Sequence, residues 1–351
     1  MSLKSFRLVE EFVQERNASA AVALVHHKGR QYGPVAFGHT AFFPGAPAVT
    51  KDTIFDIASL TKVVGTTTIT LMLLEDGLFD LRTELGDLLG DVPRDKASIT
   101  MEQLLSHTSG LPAWVPLYLN AKEPRDVIEQ VLACPLEYTP GSQVVYSCLG
   151  FILLTHIIQT LTGLSLDALV KERVIQPLQM DDTCYNPPKD VHPRVAYTEW
   201  CPRSKQFLRG TVHDENAQAM NGISGNAGLF STAEDLSKFA RMILDGGRTG
   251  DQVLLSQATL ALLGNCYTKG LNDRRTLGWM LYNQPGSSGG ELMSDSAIGH
   301  TGFTGTSLWI DKAQDLFVVL LTNRVHPVRT NEAVFRLRRE FHTAVVAELS
   351  S

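Results

Sequence analysis

This 351-residue chain is strand-like at its two ends and helix-like between them, which limits its possible folds more than any single motif does. Near the start, Ala20–His27 and Gln31–Gly38 are apolar runs joined by Lys28-Gly29-Arg30, the pattern of a β-hairpin. Near the end, Ser307–Asp311 and Leu316–Thr322 repeat that pattern around a short polar turn. From about residue 78 to residue 215 the pattern is mainly helical. This arrangement predicts one sheet assembled from the two ends of the chain, with a helical region inserted.

Helical periods fill in the rest. Phe6–Arg16 reads as a short helix, and residues 59–77 as a buried helix ending at Asp76-Gly77. Threonine and valine are poor helix formers, so tertiary contacts must hold that second helix. Within 151–162, Leu154, Ile157, Ile158 and Leu161 lie opposite Thr155, Gln159 and Thr162. Thr232–Leu244 is helix-like, and a last helix over 331–348 places Val334, Leu337, Phe341 and Val345 on one side. Arg336, Arg338 and Arg339 on that helix read as a solvated face.

Apolar residues make up 44% of the chain and charged residues 19%, enough for a sizeable core and incompatible with disorder, coiled coil or collagen. The length suits about two domains. A net charge of −6 with no long basic run argues against nucleic acid or an anionic membrane as partner. The longest apolar stretches, Val63–Leu74 and Leu149–Leu161, are too short to span a bilayer. Cys134, Cys148, Cys184, Cys201 and Cys266 are odd in number, with no Cys-x-x-Cys pair, and read as free thiols. The start, Met1-Ser2-Leu3-Lys4-Ser5 leading to Glu10-Glu11, has no apolar signal core. The expected compartment is the cytoplasm, or an extracytoplasmic one if a signal has been removed.

No histidine motif of the His-Glu-x-x-His type occurs, and no metal site or cofactor is expected. Gly286-Ser287-Ser288-Gly289-Gly290 matches the Gly-x-Ser-x-Gly elbow formally, but Asn-Gln-Pro precedes it and no helix comes after it, so it reads as a loop. Phe55-Asp56-Ile57-Ala58-Ser59-Leu60-Thr61-Lys62 carries more. A serine hydroxyl needs a nearby base to act as a nucleophile. In a helix beginning at Ser59, Lys62 sits one turn on, on the same face. A partly buried ammonium loses some preference for charge, and the helix start offers free N–H groups to an oxyanion. Ser-x-x-Lys arises about once by chance in a chain of this composition, so the order of the motifs C-terminal to it decides. Tyr146-Ser147-Cys148 comes after Thr139-Pro140-Gly141-Ser142 and before a helix, and His300-Thr301-Gly302 leads into the late strands.

With these pieces in this order, the chain resembles the serine β-lactamase and penicillin-binding protein superfamily, in particular its class C-like branch of D-alanyl-D-alanine carboxypeptidases, β-lactamases, esterases and amide hydrolases. The resemblance runs from about residue 20 to residue 330. It includes Leu104–Pro112, Gly225–Leu236 and Gly299–Gly305. It implies an α/β (α+β) fold, an antiparallel sheet built from both chain ends and flanked by helices, with a mostly helical domain inserted. The boundaries fall at 1–58 and 216–351 for the sheet domain and 59–215 for the helical one, with the site in the seam.

By the same resemblance Ser59 is the acylated nucleophile, Lys62 its proton-handling partner and Tyr146 the proton relay. The N–H groups of Ser59 and Phe303 form the oxyanion hole. His300, Thr301 and Gly302 replace a Lys-Thr-Gly edge strand that forms one cleft wall and pairs with the substrate backbone. A histidine there titrates near neutral pH, where lysine stays cationic. Cys148 departs from the family's Tyr-x-Asn, and a thiol cannot replace the lost amide contact. Asn323 and Arg324 are candidate substrate contacts, Arg324 as a carboxylate-binding guanidinium or a structural salt-bridge donor. Trp114 and His107 are expected to line the cleft.

The expected function is a serine hydrolase working through an acyl-enzyme on a peptide, amide or small ester. The partner is a small-molecule or peptide substrate; the oligomeric state is open. The alternatives are a class C-like β-lactamase of low efficiency and a penicillin-fold binding or sensor module.

Overall fold

The computed structural model describes residues 3–283 and 286–350. Gln284 and Pro285, two of the three residues expected to form a loop before Gly286, lie outside them. In chain order the main elements are α1 (Phe6–Gln14), β1 (Ala20–His27), β2 (Arg30–Gly38), α2 (Thr68–Glu75), α3 (Cys148–Thr162), α4 (Ala233–Leu244), β3 (Met280–Leu281), β4 (Ile298–Thr301), β5 (Ser307–Asp311), β6 (Leu316–Thr322) and α5 (Ala333–Leu349). The six strands form one antiparallel sheet in the order β3-β4-β5-β6-β1-β2. β6 lies beside β1, with Leu321 opposite Val22 and Val319 opposite Leu24, so the two ends of the chain meet in mid-sheet.

Side chains alternate across each strand, and both faces of this sheet are covered. Ala21, Ala23 and Val25, with Leu316, Val318 and Leu320, face Phe6, Val9 and Phe12 of α1 and Val334, Leu337, Phe341 and Val345 of α5. Val22 and Leu24, with Phe317, Val319 and Leu321, face the larger core that includes Leu236 and Phe239 of α4 and most of α3. Burial on both sides explains why these strands read as continuous apolar runs rather than alternating ones.

Two helical expectations need correction. Residues 59–77 do not form one α-helix: Ala58–Leu60 is a 3-10 turn, Lys62–Thr67 is π-helical, and α-helix begins only at Thr68. Every residue from Lys62 to Leu73 is buried, and the threonine hydroxyls bond to carbonyls, Thr66 to Gly225 at 2.8 Å and Thr68 to Val63 at 2.8 Å. Tertiary contacts and side-chain hydrogen bonds therefore override local propensity. The helical character expected as far as residue 215 gives way after Lys171–Ile175, with only the 3-10 turn His192–Arg194 before residue 215 among the described residues. Beyond it, Cys184–Tyr185 joins Leu229–Ser231 and Phe55–Asp56 in a three-stranded sheet, and Trp200–Cys201 pairs with Gln206–Phe207. The prolines at 187, 188, 193 and 202 cannot sustain helix there.

Candidate active site

Ser59 lies just past the Phe55–Asp56 strand. The strand reverses at Ala58, which adopts φ 47°, a left-handed conformation that alanine rarely takes. One turn on, Lys62 is fully buried, and its Nζ donates to Ser59 Oγ at 3.1 Å, Cys148 Sγ at 3.6 Å and the Asn226 carbonyl at 2.8 Å. All three ammonium protons thus have acceptors, and among the described residues no carboxylate pairs with Lys62. Cys148 opens α3: the Ser147 hydroxyl accepts from the Gly150 N–H, and the Cys148 N–H bonds to the Ala113 carbonyl at 2.9 Å. Tyr146, just before this cap, lies with its ring centroid 5.0 Å from Lys62 Nζ. Its hydroxyl is buried without a hydrogen bond of standard geometry.

Burial is the dominant influence on this cluster. It raises the Tyr146 phenol and the Cys148 thiol above their ordinary values, although Lys62 favours both anions. Burial also disfavours the Lys62 ammonium, but anionic Cys148 and Tyr146 outweigh it and lift the amine above its ordinary value. The three groups share protons as a unit, so Lys62 is less ready a base than partial burial alone would make it.

β4 brings the second wall. Of the residues of β4, Met280–Leu281 pairs with Gly299 and Ile298 alone, so β4 is not the outermost strand, yet among the described residues its His300–Thr301 end keeps an open edge. Gly302 comes next, so close to the Ser59 turn that a Cβ there would lie 2.6 Å from the Ile57 carbonyl and 2.1 Å from Thr306 Oγ1. Among the described residues the amides of Ser59 and Phe303 make no hydrogen bond, while those of Ala58, Leu60 and Gly302 do. His300 Nδ1 donates to the Thr301 carbonyl at 2.9 Å, leaving Nε2 as an unpartnered acceptor. Burial, then the Lys62 and Arg275 charges, hold His300 well below the ordinary histidine range. These influences favour its neutral form, against the titrating histidine expected from the sequence.

A cavity of about 490 Å³ opens onto Ser59, Tyr146, Cys148, His300, Thr301 and Gly302. Trp114 and Phe303 also line it and are about half exposed. Two expected contacts do not reach it. His107 is buried behind Tyr146, ring centroids 4.6 Å apart, with Nδ1 accepting from the Ser147 N–H at 3.1 Å. Asn323 pins the β1–β6 end: its Oδ1 accepts from the Ala20 N–H at 2.9 Å and its Nδ2 donates to Ser19 Oγ at 2.8 Å. Arg324 does line the cavity, but it donates to the carbonyls of Phe303, Arg329 and Asn331, each at 2.8 Å, and among the described residues it forms no salt bridge.

The sequence pattern did not single out Arg338 as buried, nor Arg275 and Asn226 as parts of the site. Arg338 is buried, not solvated, and donates to the carbonyls of Gly302 and Thr306 at 2.7 Å. Burial and the Arg324 charge lower it to about 9. Its signal was present, since position 338 falls on the stripe of Val334 and Phe341. Arg275 also lines the cavity, its guanidinium 5.6 Å from the Tyr146 ring centroid. Asn226 acts through a backbone carbonyl, which side-chain chemistry could not flag.

The Beta-lactamase family model matches residues 6–343. N-acetylmuramyl-L-alanine amidase of Bacillus subtilis (strain 168) is 33% identical over 367 aligned positions, covering 93% of this chain and 82% of that protein. A Salmonella agona (strain SL483) protein provisionally named D-alanyl-D-alanine carboxypeptidase is 30% identical, covering 81% of this chain and 72% of its own. The class C β-lactamase structure from Rhodobacter sphaeroides superposes with a TM-score of 0.77 over 99% of both chains at 19% identity, a likeness of fold. Matched over nearly its whole length, the chain belongs to the Beta-lactamase family of serine hydrolases, which share the β-lactamase and penicillin-binding-protein fold.

Proposed function

We propose that Ser59 is the acylated nucleophile of this hydrolase and that its substrate is a peptide or amide of cell-wall type, or a small ester. The observation that carries the reading is the 3.1 Å hydrogen bond from Lys62 Nζ to Ser59 Oγ, made by a buried lysine with no carboxylate partner among the described residues. Once the Lys62–Tyr146–Cys148 cluster has given up a proton, Lys62 accepts the hydroxyl proton as Ser59 Oγ bonds to the substrate carbonyl carbon. The developing oxyanion is stabilised by the unbonded amides of Ser59 and Phe303. Tyr146 passes the proton to the leaving nitrogen or oxygen as that bond breaks. Water repeats the sequence in reverse: its proton enters the cluster, its oxygen bonds to the acyl carbon, and Ser59 Oγ recovers a proton as it leaves.

The substrate class draws support from the amidase and carboxypeptidase names of the two relatives. Cys148 supports it too, since the thiol facing Lys62 offers no carboxamide to a β-lactam side chain. A β-lactamase of low efficiency is the second reading. A binding or sensor module is disfavoured because Ser59 and Tyr146 line one cavity and Lys62 is hydrogen-bonded to Ser59 behind it.

The test is intact-protein mass during incubation with benzylpenicillin, with Ser59→Ala as control. A lasting adduct on the wild type alone supports slow deacylation by a carboxypeptidase-like enzyme. No adduct with penicillin consumed favours the β-lactamase reading; no adduct with penicillin intact directs the search to short esters and amides. Hydrolysis undiminished in Ser59→Ala overturns the nucleophile assignment.

A further inference from the structure

Asp56 takes no part in the acyl-transfer chemistry, yet three of the segments that bound the reacting position are tied to it. Its side chain is buried. One carboxylate oxygen, Oδ1, accepts from the Ala58 N–H at 2.8 Å, and the other, Oδ2, from the His213 N–H at 2.7 Å. Its main-chain carbonyl accepts from Thr304 Oγ1 at 2.7 Å. The first bond clamps the turn that carries Ser59, the second the loop that presents His213 and Asp214 to the cavity, and the third the turn that carries the Phe303 amide. The next residue reinforces the third link, because the Ile57 carbonyl accepts from Thr306 Oγ1 at 3.1 Å.

The backbone at Ala58 shows why such a clamp is needed. A left-handed alanine persists only where its surroundings over-determine it. An aspartate bonding to the amide two residues on is a local device that does this. We infer that Asp56 is a positioning residue that holds Ser59 Oγ in register with the Phe303 amide. The inference rests on Ser59 being the nucleophile. Asparagine keeps the shape but has one acceptor oxygen, so either the Ala58 or the His213 amide faces an NH₂ group and is orphaned.

The experiment measures kcat and KM for p-nitrophenyl acetate in Asp56→Asn and Thr304→Val, below the Tm of each variant. Thr304→Val cuts only the link to the Phe303 turn and keeps the side-chain shape. The expected result is a fall in kcat of roughly 10- to 100-fold with KM little changed, the effect of a misplaced reacting group rather than of lost binding. Thr304→Val should fall less than Asp56→Asn, because it breaks one bond of the three. A lowered Tm with unchanged kcat in either folded variant makes Asp56 a stabilising residue only and overturns the inference, as does a loss confined to KM. If Asp56→Asn does not fold, Thr304→Val decides alone. Full activity in Ser59→Ala would instead remove the nucleophile assignment itself, so the two failures are distinct.

Discussion

Around Lys62 Nζ, a hydroxyl, a thiol and a carbonyl take the places that a carboxylate would fill in an ordinary buried ion pair. Replacing this lysine by methionine keeps its apolar stem and removes its proton chemistry. The expected cost is roughly 10²- to 10⁴-fold in kcat/KM with the fold intact, measured on any ester or amide that the wild type turns over. The pH profile should be shaped by the Lys62–Tyr146–Cys148 cluster, whose members are all held above their ordinary values. Activity needs the deprotonated cluster, so kcat/KM should rise with pH through the alkaline range. His300 and His107 are held well below the ordinary histidine range, by burial and then by the Lys62 and Arg275 charges. No inflection should therefore appear near 6.5, and one found there would return His300 to the role the sequence suggested. Cys148→Asn restores a carboxamide beside Lys62 and should speed acylation by benzylpenicillin about tenfold, one good polar contact; an unchanged rate would show that Cys148 does not limit β-lactam use. Ser59, Lys62 and Tyr146 were singled out by the order of their motifs and the family resemblance that this order carries, and the fold brings the three together. Asn226 was not, since it contributes a main-chain atom that every residue has.

The end of β4 and the start of α5 work as a pair at the scale of elements. Gly302 lets the strand end press against the Ser59 turn, and Arg338 caps the carbonyls of Gly302 and Thr306 from the helix. Gly302→Ala inserts a methyl where backbone and hydroxyl already stand, and should cost about 1–3 kcal/mol of stability together with most of the activity. Arg338→Leu removes a buried cation and its two hydrogen bonds, while the Gly302 and Thr306 carbonyls keep their bonds to the Gly305 and Gly302 amides at 3.0 and 2.7 Å. A lost bond to a charged donor costs about 1.5–3 kcal/mol, so thermal unfolding should show a net loss, and a gain would mean that relief of the buried charge dominates. The hairpins at both ends were readable from apolar runs and turn residues. The π-helical stretch over Lys62–Thr67 was not, because threonine hydroxyls and partners distant in sequence set its backbone.

Several histidines across the molecule are buried in neutral form. His26, His107, His300, His326 and His342 all lie below their ordinary value, chiefly through burial, His342 at about 4. A histidine whose folded pKa is depressed contributes stability above the unfolded value of about 6.5 and loses it as pH falls toward the folded value. Stability measured by calorimetry should therefore fall steeply between about pH 6.5 and 4, by up to about 1.4 kcal/mol per pH unit for each such histidine. A flat Tm over that range would mean that these side chains reach water in the folded state.

What the sequence determined by itself is local or additive: the strand runs at each end, the apolar stripe of α5, the spacing of Ser59 and Lys62, and the net charge of −6. These come from periodicity and residue chemistry, which do not depend on partners. Tertiary structure alone decided which side chains face the cavity. It sent Asn323 and His107 away from the cavity and brought Arg338 to it. It also joined the Ser59, His213 and Phe303 segments at Asp56. Burial and distance set those outcomes, and both depend on contacts between residues far apart in the chain.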